Sequence, residues 1–90
     1  MTVLDRMRDE SIAVYCETSA ESNLLFKIFK NHQVRIEVDE HAPSYDVFYV
    51  RLGDSLVVTT DVEALSCCGY NIMMFDYFVY QYIVDYGNEV

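Results

Sequence analysis

Residues 45–60 read YDVFYVRLGDSLVVTT and contain two β-favouring runs joined by Gly53 and Asp54. A two-residue connection that begins with glycine predicts a tight β-hairpin. If the strands pair symmetrically about this turn, Val50 lies opposite Val57. This hairpin decides the fold, because it supplies an antiparallel pair to which further strands can add.

A preceding run, residues 34–39, extends the hairpin into a predicted β-meander over about 33–60. Apolar and charged residues alternate in this run, as in a strand with one buried face. We predict that Ile36 faces Phe48 across the sheet, because this register puts the strongly apolar side chains on one side. Tyr49 then belongs to the opposite face, which is either covered by the C-terminal helices or is a binding face.

Helical segments flank the predicted sheet. Thr18 and Glu21 have capping-box spacing, and the apolar residues after them recur at helical intervals, which predicts an amphipathic helix over about 19–31. A short helix over 3–10 and a strand over 12–16 are predicted before it. The apolar stripe of the amphipathic helix comprises Leu24, Leu25, Ile28 and Phe29.

The C-terminal third is predicted to be helical. Asp61 and Gly69 bracket a short helix over about 62–68. Residues 71–86 have a β-favouring composition but helical apolar spacing, and we interpret them as a helix, with a strand as the alternative. The expected fold is therefore a small α+β single domain, 1–90, with a three- or four-stranded, mostly antiparallel sheet.

Charge is distributed unevenly along the chain. The net charge is −9, and all six basic residues precede Leu52. The last 39 residues contain six acids and five of the eight tyrosines. An acidic, tyrosine-rich surface repels the phosphates of nucleic acids and anionic membranes and suits contact with a basic protein surface. Improved solubility is the competing explanation for this acidity.

No catalytic or metal-binding motif stands out, and we expect neither an enzyme nor a bound cofactor. Three isolated glycines cannot build a phosphate-binding loop, and two histidines lack the paired spacing of a zinc site. The acidic turn over 39–46 is a weak candidate for a divalent metal site, because it lacks the regular oxygen-ligand spacing of a calcium loop.

Cys16, Cys67 and Cys68 form an odd set of cysteines. We expect all three to be reduced and buried, because adjacent cysteines rarely bond to each other and no nearby cation favours a thiolate at positions 67 and 68. The chain has no secretory signal and no apolar stretch long enough to span a membrane, so the expected location is the cytoplasm.

These observations predict a small acidic protein that binds and blocks a basic surface of a larger partner, such as a nucleic-acid-processing enzyme. The candidate partner-binding acids are Glu37, Asp39, Asp61, Glu63, Asp76, Asp85 and Glu89. The candidate partner-binding tyrosines are Tyr45, Tyr49, Tyr77, Tyr80, Tyr82 and Tyr86. Tyrosine suits such a role because it brings a large contact area with a hydrogen-bonding tip.

In size, charge and lack of catalytic motifs, the chain resembles phage-encoded inhibitors of host defence nucleases, of the anti-CRISPR kind, and the immunity partners of nuclease toxins. This resemblance assigns no residue a role; it implies a cytoplasmic site of action, in the host cell if the protein is viral. Two alternatives stay open. One is a self-assembling module whose aromatic C-terminal segment packs against a copy of itself, and the other is an enzyme with an unrecognised site.

Overall fold

Four helices and five strands make up the structure, a computed structural model that describes residues 3–37 and 45–87. In chain order they are α1 (Val3–Asp9), β1 (Ile12–Cys16), α2 (Ser19–Asn31), β2 (Arg35–Ile36), β3 (Val47–Leu52), β4 (Ser55–Thr59), α3 (Val62–Cys67), β5 (Asn71–Met74) and α4 (Phe75–Gly87). The α+β class is confirmed, as are the first three elements and the hairpin.

The strands form one mixed sheet in the order β2-β4-β3-β1-β5. The three central strands are antiparallel neighbours, whereas both edge strands pair in parallel: β2 with β4 and β5 with β1. The hairpin part of the predicted meander is therefore correct, but its first strand is not an antiparallel neighbour of β3. The sheet therefore has five strands, where three or four mostly antiparallel strands were predicted, and it is mixed.

The predicted hairpin is confirmed. Val50 pairs with Val57, and Gly53 has a φ of +61°, a left-handed conformation that glycine adopts without a steric penalty. The predicted register of the preceding strand is wrong, because Ile36 pairs with Leu56 and not with Phe48. Strand β2 lies at one edge of the sheet and β4 separates it from β3, so these two consecutive strands are not neighbours.

The larger hydrophobic core lies on one side of the sheet, which we call the main face, under α1, α2 and α4. Tyr49 is 1% exposed there, and its ring meets the Phe26 ring edge-on at 5.4 Å between centroids. Of the two alternatives for this face, cover by helices is therefore the correct one, and the nomination of Tyr49 as a partner-binding residue is wrong. The buried members of this core are Leu4, Met7, Ile12, Val14, Cys16, Leu25, Phe26, Phe29, Val34, Val47, Tyr49, Leu56, Phe75 and Phe78.

The opposite side of the sheet, the second face, has a smaller core of Ala13, Val50 and Leu65. Leu65 comes from α3, the described helix that packs there. Phe48, Val57 and Tyr70 are partly buried around these three residues. The strands are thus apolar on both faces, but the cover is unequal.

The capping box of α2 is confirmed. The Thr18 hydroxyl accepts a hydrogen bond from the Glu21 backbone N–H at 3.2 Å, and the Glu21 carboxylate accepts one from the Thr18 N–H at 3.1 Å. The predicted apolar stripe is only partly right, because Leu24 is 50% exposed and Phe26 is buried in its place. The four buried residues of α2 are Ser22, Leu25, Phe26 and Phe29.

Residues 71–86 contain both predicted alternatives in succession. Strand β5 ends at Met74 and α4 begins at Phe75 with no loop between them. The β-favouring composition and the helical spacing each described one part of the segment. Among the described residues, no helix combines the length and the hydrophobicity needed to cross a membrane.

Candidate functional site

The topology gathers several carboxylates at one edge of the sheet. Strands β1, β4 and β5 run in one direction and β3 runs in the other. The C-terminal ends of β1, β4 and β5 therefore lie beside the start of β3. Helices α2, α3 and α4 each follow one of those strands and therefore also begin there. We call this edge the acidic end, and its acids are Glu17, Glu21, Asp46, Asp61, Glu63 and Asp76.

The four arginines lie toward the opposite edge, on α1, at the start of β2 and at the end of β3. Each is close to an acid there: the nitrogen–oxygen distances are 2.8 Å for Arg6–Glu10, 3.0 Å for Arg8–Asp9, 3.4 Å for Arg35–Glu37 and 3.6 Å for Arg51–Asp5. The two lysines follow in the second half of α2, which runs away from the acidic end. Among the described residues, then, the acidic end has acids without nearby basic side chains.

Two of these acids have a structural role in addition to their charge. The Glu21 carboxylate accepts hydrogen bonds from the backbone N–H groups of Glu17 and Thr18 at 2.8 and 3.1 Å. The Asp61 carboxylate accepts one from the Ala64 N–H at 3.0 Å and caps α3. Carboxylates are favourable at helix N-termini because they compensate the helix dipole, so part of the acidity stabilises the fold itself.

Asp46 accepts a hydrogen bond from a tyrosine of the neighbouring strand β1. The Tyr15 hydroxyl donates to its Oδ1 at 2.5 Å. This bond raises the pKa of Tyr15 to about 12, and partial desolvation and the negative charges of Asp46, Glu17 and Glu21 add to the shift. Asp46 has a φ of +56°, a left-handed conformation that aspartate tolerates better than most residues.

An open cleft of about 560 Å³ lies beside Asp46, between the start of β3 and the start of α3. Tyr45, at its rim, is 60% exposed. The lining residues are Tyr45, Asp46, Val47, Phe48, Thr60 and Val62. A carboxylate next to two aromatic side chains is a suitable environment for an organic cation, which can form an ion pair with the acid and a cation–π contact with a ring.

The structure brings some of the predicted site residues together. Asp61, Glu63 and Asp76 are exposed at the acidic end, Tyr45 borders its cleft, and Tyr77 lies in the first turn of α4. The acidic residues Glu17 and Asp46 were missed by the sequence analysis. Their positions directly after one strand and before another were the available signal, because such positions meet at a sheet edge.

Other candidates lie elsewhere. Glu37 lies toward the opposite edge beside Arg35. Tyr82 is partly buried, with its hydroxyl 3.3 Å from the His32 ring nitrogen Nε2, and Tyr80 is on the outer side of α4. Asp39 and Glu89, with the acidic turn around residue 40, lie outside the described residues, as do the side chains of Asp85 and Tyr86.

The cysteines are free thiols, as expected, but only Cys16 is buried. Burial raises the pKa of the Cys16 thiol to about 12, although a hydrogen bond with Ser22 opposes the shift. Cys67 and Cys68 are exposed, contrary to the prediction, because the short α3 buries Leu65 and turns its C-terminal end to solvent. Within the described ranges, no three potential metal ligands cluster.

Comparison with protein-family models, with curated proteins and with solved structures gives no match to this chain.

Proposed function

We propose that this protein inhibits a larger partner by covering a basic surface with its acidic end. The partner we favour is a nucleic-acid-processing enzyme, because such enzymes carry basic surfaces where phosphates bind. The observation that supports the proposal is the separation of charge across the sheet: carboxylates collect at one edge and the arginines lie toward the other.

Carboxylates at this edge would occupy the positions that phosphates take on the partner. Exposed Glu17, Glu63 and Asp76 would form charge-assisted hydrogen bonds with arginine and lysine side chains. The cleft would receive one arginine of the partner, with Asp46 as its counter-ion and Tyr45 against its guanidinium plane. Tyr45 would then supply part of the desolvated centre that dominates binding energy in protein interfaces.

The same charge disfavours direct binding to nucleic acid or to an anionic membrane, since both are polyanions. We propose no catalytic reaction and no cofactor, and we place the inhibitor in the cytoplasm, where nucleic-acid enzymes are accessible.

The test is a pair of variants with equal net charge. In the acidic-end variant, Glu17→Gln, Asp46→Asn, Glu63→Gln and Asp76→Asn change the net charge from −9 to −5. In the control variant, Asp9→Asn, Glu10→Gln, Glu37→Gln and Asp54→Asn make the same change toward the opposite edge. Amides keep an acceptor oxygen and nearly the same shape, so both variants should fold.

The binding partner is first captured from a lysate of the source cells and eluted with a salt gradient; association rates are then measured at several salt concentrations. We expect the acidic-end variant to associate at least about tenfold more slowly with a flatter salt dependence, and the control to remain close to wild type. Equal rates for the two variants would mean that the acidity serves solubility alone, and the proposal would be wrong.

A further inference from the structure

Helix α3 ends in a pair of adjacent cysteines, and hydrogen bonds fix the backbone around them. The Gly69 N–H donates to the Ser66 carbonyl at 3.1 Å. The Tyr70 N–H donates to the Leu65 carbonyl at 2.9 Å, and Gly69 between these residues has a φ of +80°. Two such bonds across a left-handed glycine define a Schellman motif, a common helix ending that satisfies the last carbonyl groups.

Cys67 and Cys68 occupy the positions of this motif whose side chains take no part in it. Leu65 is buried and Tyr70 packs against the same small core, whereas both thiols are exposed. Free cysteine is among the most buried residue types, and where it is exposed its chemistry explains it better than packing does. Two exposed thiols side by side therefore indicate a chemical role.

A disulfide between these two thiols is disfavoured by geometry. Adjacent Cα atoms are ~3.8 Å apart across a trans peptide bond, below the ~4.4–6.8 Å that disulfides usually span. Cys67 is the last residue of α3 and Cys68 is its C-cap. Successive side chains on a helix point about 100° apart and do not face each other. Direct bonding of the two sulfurs would therefore require the helix ending to change.

A bridging metal ion accepts a wider separation of the sulfurs. With metal–sulfur bonds of ~2.3 Å, one ion holds two sulfurs up to about 4.6 Å apart, whereas a disulfide bond is only ~2.05 Å long. Thiolate ligands select Cu(I), zinc and iron–sulfur clusters, and the last two take four ligands. Among the residues that the structure describes, no group of three potential metal ligands forms. Two thiolates alone suit Cu(I), which accepts two-coordinate, linear ligation.

We propose that Cys67 and Cys68 bind one Cu(I) ion as a two-thiolate site. Each thiol releases its proton to solvent, and the two sulfurs then coordinate the ion. The step changes no oxidation state, releases two protons and leaves a complex with a formal charge of −1. The affinity for Cu(I) therefore rises with pH, and the net charge of −9 attracts the cation at long range.

This site goes beyond the proposed inhibition, in which no metal takes part. The thiols lie at the C-terminal end of α3, whereas the N-terminal end of that helix belongs to the acidic end. Serine replacements at the two cysteines leave the carboxylates unchanged, and the acidic-end variant keeps both cysteines. The two proposals can therefore fail separately.

Competition with the chromophoric Cu(I) chelator bicinchoninate, under argon, tests the site on the full chain. We expect wild type to withdraw one Cu(I) per chain. Cys67→Ser and Cys68→Ser should each bind at least about a hundredfold more weakly, because one thiolate cannot chelate. Cys16→Ala is the matched control, since it removes the buried thiol and should bind as wild type does. No withdrawal of copper by wild type, or equal affinity in both serine variants, would overturn the proposal.

The number of ligands distinguishes this site from one shared between two copies. X-ray absorption of the copper complex should show two sulfur neighbours, and sedimentation equilibrium should give the same mass with and without copper. A parallel titration with zinc provides the contrast. Binding of one zinc ion per two chains with a doubling of mass would indicate a four-cysteine site and refute the two-thiolate assignment.

Discussion

The main face and the second face of the sheet are built from the same strands but are covered very differently. Three helices and a cluster that includes seven aromatic or sulfur-containing side chains bury the main face, whereas the six-residue α3 contributes Leu65 to the second. We therefore expect the buried core of the main face to contribute most of the free energy of unfolding. The lightly covered second face can then leave room for the cleft and for exposed residues around α3.

Thiol reactivity should show the largest contrast. Cys16 is buried on the main face, and burial raises its pKa to about 12, so it should react only when the protein opens. We expect Cys67 and Cys68 to react with a disulfide reagent at pH 8 more than about a thousandfold faster, given the free energies of opening typical of small domains. Cys67→Ser, Cys68→Ser should abolish the fast phase and Cys16→Ala should preserve it. Similar rates for all three thiols would show that the main face opens readily.

Truncation of core residues should show the next largest difference. Phe78→Ala on the main face should lower the free energy of unfolding by about 4 kcal/mol, since it leaves a large cavity among buried side chains. Leu65→Ala on the second face should lower the free energy of unfolding by about 2 kcal/mol, because the side chains around Leu65 are less enclosed and can move into the space. Urea denaturation of wild type and of the two variants measures both changes in the free energy of unfolding. A cost at Leu65 equal to that at Phe78 would mean that the two faces contribute alike.

The smallest effect concerns Tyr15, whose ring lies on the second face and contacts Phe48 at 5.0 Å between centroids. Its pKa rises from 10.0 to about 12 on folding, so its contribution to stability is present below pH 10 and is lost as the pH approaches 12. The free energy of unfolding should fall less steeply over this interval in Tyr15→Phe and in Asp46→Asn than in wild type. Cys16 also titrates here, but equally in all three proteins. Unchanged slopes in both variants would contradict the role of the Tyr15–Asp46 bond.

Local signals in the sequence were sufficient for much of the fold. Capping by Thr18 and Glu21, the cap at Asp61 and the Gly53 turn depend on near neighbours in the chain, and each was predicted at the correct position. The same holds for the Val50–Val57 pairing, because a two-residue turn leaves little freedom of register.

Errors arose where the outcome depended on distant contacts. Residues 47–50 are four apolar residues in a row, a pattern typical of a strand buried on both faces, but they were interpreted as an alternating strand whose second side is either covered by helices or a binding face. Tyr49 was consequently assigned to a binding surface. The parallel pairing of Ile36 with Leu56 joins residues 20 positions apart in the chain and has no local signal in the sequence.

The candidate site shows the same division. Asp61, Glu63 and Asp76 could be nominated from the charge of the C-terminal half. Glu17 and Asp46 lie directly after β1 and before β3, and that signal becomes informative only together with the pairing of these two strands, which was not predicted. The charge distribution along the chain was sufficient to predict an acidic surface, but the strand topology determines which acidic residues form it.

The Tyr15–Asp46 bond also gives the protein a built-in optical reporter. The chain has eight tyrosines and no tryptophan, so its ultraviolet emission is tyrosine emission alone. An excited phenol is a stronger acid than one in its ground state, and a carboxylate 2.5 Å away can accept its proton and quench the light. A cation that competes for the Asp46 carboxylate should weaken this bond, and we then expect the emission of Tyr15 to increase. Occupancy of the cleft can therefore be followed on the unlabelled protein.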